Sequence, residues 1–429
     1  MDNLHHSLKN QFSNLFGRWW PLWLAGAAGA FVVHLGTAVL RLNALIPPPQ
    51  ALDFSSYYAG AWAIRRGVSP YPWSAELLDF LAATRQLPFT PPLHNSPPLW
   101  SWLMQPFTLL PFPAAATLWL ATLLALVVVC HLLLMRLAGY RRWKPILLAF
   151  PLTLTFGPLF LNLTLGQNGI LLLFSALLFG TVLNRPEPQF SVSNLLLWLI
   201  AVAAKLFPVF WAGSYLFVRR RRDLLITMLF LGLAWGVVFL AKPAINADYW
   251  LDFLPDQADR FARSASVDDQ SLPSYLKRIG REGTYSFPGL SVQERIEVTW
   301  RFPWNFAAER IQITAWMLIA LIGLGIFYLF RRRVERQPEA VLYTLVLYSL
   351  LLLPHMERYN HILALPALCW LWSRSRRSRI LVVTAYGFFA LSRLNHLLAM
   401  VPAPAGPFLT GFGLFGVLLL LGGLLATVR

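Results

Sequence analysis

Apolar residues run along this chain in long uninterrupted blocks, without the alternation or the three-to-four spacing of a soluble core. Residues 19–40, 113–135, 223–241, 310–330 and 408–428 are each long enough to cross a hydrocarbon layer of roughly 30 Å. Shorter apolar runs fill the intervals. The pattern predicts an all-α polytopic membrane protein, a single integral membrane domain over residues 1–429 with about 12 transmembrane helices.

Polar positions then set the order of crossings. Basic residues cluster between apolar runs: Lys9 and Arg18; Arg136, Arg141, Arg142 and Lys144; Arg219 to Arg222; Arg331 to Arg333 with Arg336; and Arg374 to Arg379. Such clusters mark cytoplasmic loops by the positive-inside rule. With them inside, a first uncleaved helix (about 19–41) runs outward, and residues 42–112 form a first outer loop carrying short interfacial helices. Residues 146–183 make an out-and-back pair turning at Gly166-Gln167-Asn168. A single crossing over 194–218 would strand Arg219 to Arg222 outside, so this stretch is expected to be a hairpin broken near Lys205-Leu206-Phe207-Pro208. Residues 243–309 form a second outer loop, and the pairs 340–353/361–373 and 380–394/408–428 complete the count with both termini cytoplasmic.

Composition agrees, at 57% hydrophobic and 13% charged residues with a mean hydropathy of +0.55. The net charge of +17 would suit nucleic acid, but its confinement to short interhelical loops points to topology instead. Cys130 and Cys369 both sit in apolar segments, which leaves no disulfide framework and no thiolate metal site.

Candidate chemistry lies in the outer loops. Asp53 follows the first helix closely; it reads both as an N-cap for a helix over 54–66 and as a general base sharpened by partial desolvation. Lys205, at the hairpin break, reads either as a snorkelling lysine or as a cation for a phosphate. Arg358 offers a second cation or a structural partner for Glu357. His355 and His361 bracket the turn before helix ten and can move protons or donate to phosphate. Gln167 and Asn168 suit sugar hydroxyls or their own turn, Asp268, Asp269 and Gln270 face a similar choice, and His94 and Asn95 lie close enough in sequence to reach the site. Glu357 can serve as a second carboxylate or as a metal ligand. No Asp-x-Asp pair supports a divalent site, so no metal or other cofactor is expected. In-membrane His34, His131 and Asn162 read as bonds between helices.

Several short motifs occur in a telling order: Asp53-Phe54-x-x-Tyr57-Tyr58-Ala59-Gly60-Ala61-Trp62, Gly67-x-x-Pro70-Tyr71, Ser96-Pro97-Pro98-Leu99, Leu165-Gly166-Gln167-Asn168, Lys205-x-x-Pro208 and Asp269-Gln270-Ser271-Leu272. Together they resemble glycosyltransferase family 87, which contains bacterial polyprenyl-phosphate-mannose-dependent mannosyltransferases. Two places depart from that pattern: Asp269 stands where Asn is usual, and Pro354-His355-Met356-Glu357-Arg358-Tyr359-Asn360-His361 replaces a His or His-His after Ser-Pro.

The resemblance implies a C-type glycosyltransferase fold and an inverting transfer of a sugar, mannose by analogy, from a polyprenyl monophosphate to a lipid or glycan hydroxyl. In that scheme Asp53, His355 and His361 are catalytic, Lys205 and Arg358 bind the donor phosphate, and Tyr57, Tyr58, Gln167, Asn168, Asp269, Gln270 and Glu357 contact sugar or acceptor. The expected setting is the bacterial cytoplasmic (inner) membrane, multi-pass, with an extracytoplasmic site. A monomer is expected, with membrane lipids, donor and acceptor as partners and no nucleic acid. Two other activities fit the same composition: a flippase or exporter of lipid-linked sugars, and a polymerase or ligase using lipid-diphosphate donors.

Overall fold

The structure is a computed structural model; it describes residues 52–427 apart from 84–86, 88–89, 185–191, 258–265, 267–268, 289–294, 303, 334–336, 354 and 393–398. The expected first helix, with Lys9, Arg18 and His34, and the candidate Asp268 lie outside the described residues.

The chain is mostly helical. The helices used below are α1 (Leu52–Arg66), α2 (Ala75–Ala83), α3 (Pro98–Met104), α4 (Phe112–Leu137), α5 (Trp143–Leu154), α6 (Gly157–Leu165), α7 (Gly169–Leu183), α8 (Val192–Ala204), α9 (Arg221–Ala241), α10 (Leu272–Gly280), α11 (Ala308–Arg333), α12 (Pro338–Leu351), α13 (Leu365–Trp372), α14 (Arg376–Leu391) and α15 (Phe412–Thr427). Among the described residues, α4, α9 and α11 over Ala308–Arg331 are each long and apolar enough to cross a membrane. The pair α5 and α6, bent by 66°, makes a fourth if it acts as one span. Pro158, in the first turn of α6, has no N–H to continue the ladder of α5, which accounts for a break at this place. Helices α7, α12 and α15 are equally apolar but shorter, at 15, 14 and 16 residues, so length and composition support fewer crossings than the expected dozen.

Lipid-facing and protein-facing helices separate cleanly. Only 11% of the apolar window of α9 is buried, and Leu225, Leu229, Leu233 and Leu240 stand exposed. Such an exterior is stable only in hydrocarbon. By contrast α7 and α12 are buried almost all round, and with parts of α4, α13 and α15 they form the main apolar core.

The broken hairpin at Lys205 is present. Helix α8 ends at Ala204, and a 3-10 turn begins at Phe207. The Trp198 indole N–H reaches the Pro208 carbonyl at 3.0 Å, so the chain folds back on itself instead of continuing straight. Asn168 Nδ2 donates to the Ala204 carbonyl at 3.3 Å, which puts the break beside the Gly166-Gln167-Asn168 turn. At the far end, Arg220 reaches the Val182 carbonyl at 3.3 Å, level with the end of α7.

These contacts define two faces. On one, which we call the basic face, the Phe217 and Phe330 rings meet at 5.7 Å just before Arg219 and Arg331, and the Trp372 indole donates to the Tyr140 hydroxyl at 3.0 Å just before the other two clusters. On the opposite face lie Asp53, the 166–168 turn, Lys205 and residues 355–361. The cluster from Arg219 to Arg222 thus lies at the opposite end of α7 from the Gly166-Gln167-Asn168 turn.

The second polar loop departs from an all-α class. Gly283–Pro288 (β1) and Arg295–Trp300 (β2) pair antiparallel, with Tyr285 opposite Val298 and Thr284 opposite Thr299. The β-branched and aromatic residues of Arg295-Ile296-Glu297-Val298-Thr299-Trp300 favour a pleated strand, and the Tyr285 and Trp300 rings meet on one side at 4.7 Å.

Candidate active site

Asp53 owes its place to α1. Phe54, Tyr57, Tyr58, Ala61 and Ile64 recur at three and four residues and are all buried, so the segment folds as a helix with Asp53 in its first turn, where a negative charge suits the helix dipole. The helix starts at Leu52, so Asp53 lies within the first turn and not ahead of it. Residues four apart share a helix face, which stacks Tyr57 above Asp53.

Gln167 spans that pair. Its Nε2 donates to Asp53 Oδ2 at 2.5 Å, and its Oε1 accepts from the Tyr57 hydroxyl at 2.8 Å. A phenol can donate only to the amide oxygen, which turns the amide N–H toward Asp53. The turn holding Gln167 needs Gly166, whose φ of 66° is left-handed and whose carbonyl accepts from the Trp119 indole at 2.8 Å. Asn168 is fully buried and serves the Ala204 carbonyl.

Lys205 stands beside this group. Its Nζ donates to Asn360 Oδ1 at 2.9 Å and lies 4.5 Å from the Tyr359 ring centre. A 3-10 turn from Arg358 to Ala364 presents Asn360, and Asn162 braces it by donating to the Tyr359 carbonyl at 2.8 Å. Burial, followed by the charge of Glu357, lifts the Asp53 carboxyl to about 7, against the opposing pull of Gln167 and Lys205.

Glu357 is fixed from the other side. His355 Nε2 lies 3.1 Å from Glu357 Oε1, while Nδ1 lies 3.0 Å from Asp269 Oδ2. Asp269 is buried, and its Oδ1 also accepts the backbone N–H groups of Ser271 and Met356 at 2.9 Å each. Burial works to lower His355, but its two carboxylate partners outweigh that and push it up to about 10. The imidazole is therefore a cation at neutral pH.

The structure thus brings together Asp53, Tyr57, Gln167, Lys205 and Glu357, with His355 and Asp269 behind Glu357. Other candidates point elsewhere. Tyr58 packs on Phe54 and Phe112, and its hydroxyl donates to the Leu110 carbonyl at 2.8 Å. Gln270 is fully buried and donates to the Thr410 carbonyl at 3.0 Å, bracing the loop. Arg358 reaches the Ser392 carbonyl at 3.4 Å. His361 is fully buried against the Phe389 ring, 5.2 Å between centroids, and against Gly413. His94, also fully buried, bridges the Ser56 hydroxyl at 3.2 Å and the Ser101 hydroxyl at 2.6 Å, clamping α1 to α3. His131, as expected of an in-membrane histidine, joins two helices through Thr153 and the Ile146 carbonyl. Tyr359 and Asn360 escaped sequence reasoning; a polar residue two positions past Arg358 and near a candidate cation was their only signal. Among the described residues no group of three or more His, Cys, Asp or Glu side chains is arranged to hold a metal ion.

A helical body with an apolar exterior and a carboxylate, amide and ammonium gathered on one face is that of a multi-pass membrane enzyme. Residues 96–354 match the family model of glycosyltransferase family 87, and the chain belongs to that family. The protein is accordingly a membrane glycosyltransferase. The match includes Gln167, Lys205 and Asp269, whereas Asp53 and residues 355–361 flank it. No curated protein and no solved structure matched the chain.

Proposed function

We propose that the protein is an inverting transferase that moves a sugar from a polyprenyl monophosphate to an acceptor hydroxyl, with Asp53 as base and Lys205 at the phosphate. The observation that carries this reading is the amide of Gln167 aimed at Asp53 on the face that also holds Lys205. A carboxyl poised near neutral pH is suited to accept a proton as it leaves an attacking oxygen. The acceptor oxygen forms its bond to the anomeric carbon, its proton passes to Asp53, and the bond from that carbon to the phosphate oxygen breaks. The electron pair stays on the departing polyprenyl phosphate. Lys205 uses one donor on Asn360, which leaves two for the phosphate as its charge grows. Attack and departure on opposite faces invert the anomeric centre.

The basic clusters on the remote face support a cytoplasmic assignment for that face and an extracytoplasmic one for the site. Mannose is the sugar we test first, with lipid and glycan acceptors, in a bacterial inner-membrane setting. Purified protein in lipid, supplied with labelled polyprenyl-phosphate mannose and candidate acceptors, should transfer label. Asp53→Asn should lower transfer by at least about 100-fold. Undiminished transfer by that variant would rule out Asp53 as the base, and movement of donor across the bilayer without transfer would favour a flippase.

A further inference from the structure

We propose that Asp269, His355 and Glu357 form a positioning relay that fixes a second carboxylate beside Asp53 and Lys205. The proposal rests on the reading of Asp53 as base and assigns Glu357 a duty toward that base instead of toward sugar.

The geometry is directional. Asp269 is anchored by two backbone N–H groups and holds one nitrogen of His355; the other nitrogen of His355 holds Glu357. The backbone is zipped alongside, since Asp269 and Glu357 form an antiparallel bridge and the Gln270 N–H donates to the Met356 carbonyl at 2.7 Å. Arg278 adds a bond of 2.6 Å to the Asp269 carbonyl. The Glu357 side chain remains 41% exposed, so the relay ends in open space on the site face and not within packing.

The charges explain the use. Asp53 faces Glu357, Lys205, Tyr57, Tyr359 and the Gln167 amide; His355 faces Asp269 and Glu357, and Lys277 and Arg278 are cations near Asp269. A mobile glutamate would swing onto Lys205 and block the phosphate. Pinned by an imidazolium, Glu357 stays ionised, opposes the ionisation of Asp53, and leaves the Lys205 donors directed by Asn360.

Two measurements test this. In protein labelled at histidine nitrogens, with His355 assigned through His355→Gln, the imidazole should remain charged beyond pH 8, and Glu357→Gln should lower its midpoint. An unchanged midpoint overturns the relay. In transfer assays, Glu357→Gln should move the acid limb of kcat/KM toward lower pH by about half to one unit. Asp269→Asn should move it the same way, and the double variant no further than Glu357→Gln alone. Additive shifts, or an unmoved limb in Glu357→Gln, overturn it. Should Asp269→Asn fail to fold, Glu357→Gln decides alone. Should Asp53→Asn retain transfer, the base assignment falls, and the histidine measurement, made without turnover, still decides the relay.

Discussion

Gln167 and Asp53 are 114 positions apart and meet at 2.5 Å, with Tyr57 holding the amide in the only orientation that donates to the carboxylate. A neutral donor on a carboxylate constrains its direction without neutralising its charge. A lysine there would instead quench the base.

Removing the amide should therefore damage turnover more than binding. Gln167→Ala is expected to lower kcat about 10- to 100-fold with little change in donor KM, and Tyr57→Phe about 10-fold or less. Steady-state transfer in lipid checks both; a rise confined to KM would return Gln167 to sugar binding.

The pH profile should follow Asp53. Transfer needs ionised Asp53 and protonated Lys205, so kcat/KM should rise with pH to a midpoint near 7 and fall again as Lys205, held down to about 8 by burial, loses its proton. The effect on stability has the opposite sign. The folded carboxyl, pushed up to about 7, holds its proton more tightly than an exposed aspartate, which titrates near 3.8, so its contribution is full below that ordinary value and is lost as pH rises to about 7. Asp53→Asn should consequently lower transfer at least about 100-fold yet flatten the fall in thermal stability between about pH 4 and 7.

Lys205→Met should reduce kcat/KM about 100-fold or more, because the developing phosphate charge loses its nearest cation. Asn360→Ala only frees the ammonium, and about a 10-fold loss is expected. Equal losses would make Asn360 a direct ligand.

His94 should make the fold acid-sensitive. Burial holds the folded imidazole down to about 3, whereas the unfolded one titrates near the ordinary histidine value of 6.5. Between these values the unfolded state binds the extra proton, so stability falls as pH drops through that window. Thermal denaturation in detergent should show a shallower slope there for His94→Gln; an equal slope would assign the sensitivity to other groups.

Glycine substitutions should separate packed from lipid-facing helices. A Cβ at Gly413 would collide with His361, and Gly413→Ala is expected to destabilise by about 1–3 kcal/mol. Gly232 and Gly236 have nothing within 4 Å of a Cβ, so alanine at either should leave the melting temperature unchanged or slightly higher.

The local features were legible in the amino-acid order. Apolar run length announced a membrane protein, and Pro208 with Lys205 announced the hairpin break, because a missing N–H and a charge act on the chain within a few residues. Asp53, Gln167 and Lys205 were recognisable as polar residues at turns with family-like spacing. Their partners were not. That Gln167 serves Asp53, that Lys205 takes Asn360 from 155 positions away, and that His355 answers to Asp269 depend on which turns packing gathers on one face. Equally, His361 and Arg358 share one short segment with Glu357, yet a 3-10 turn sends the first into the apolar body and the second toward Ser392. Sequence determined where the chain could turn and where charge could stand; only tertiary packing decided which charges meet, since hydrogen bonds act over about 3 Å and nothing local encodes so distant a neighbour.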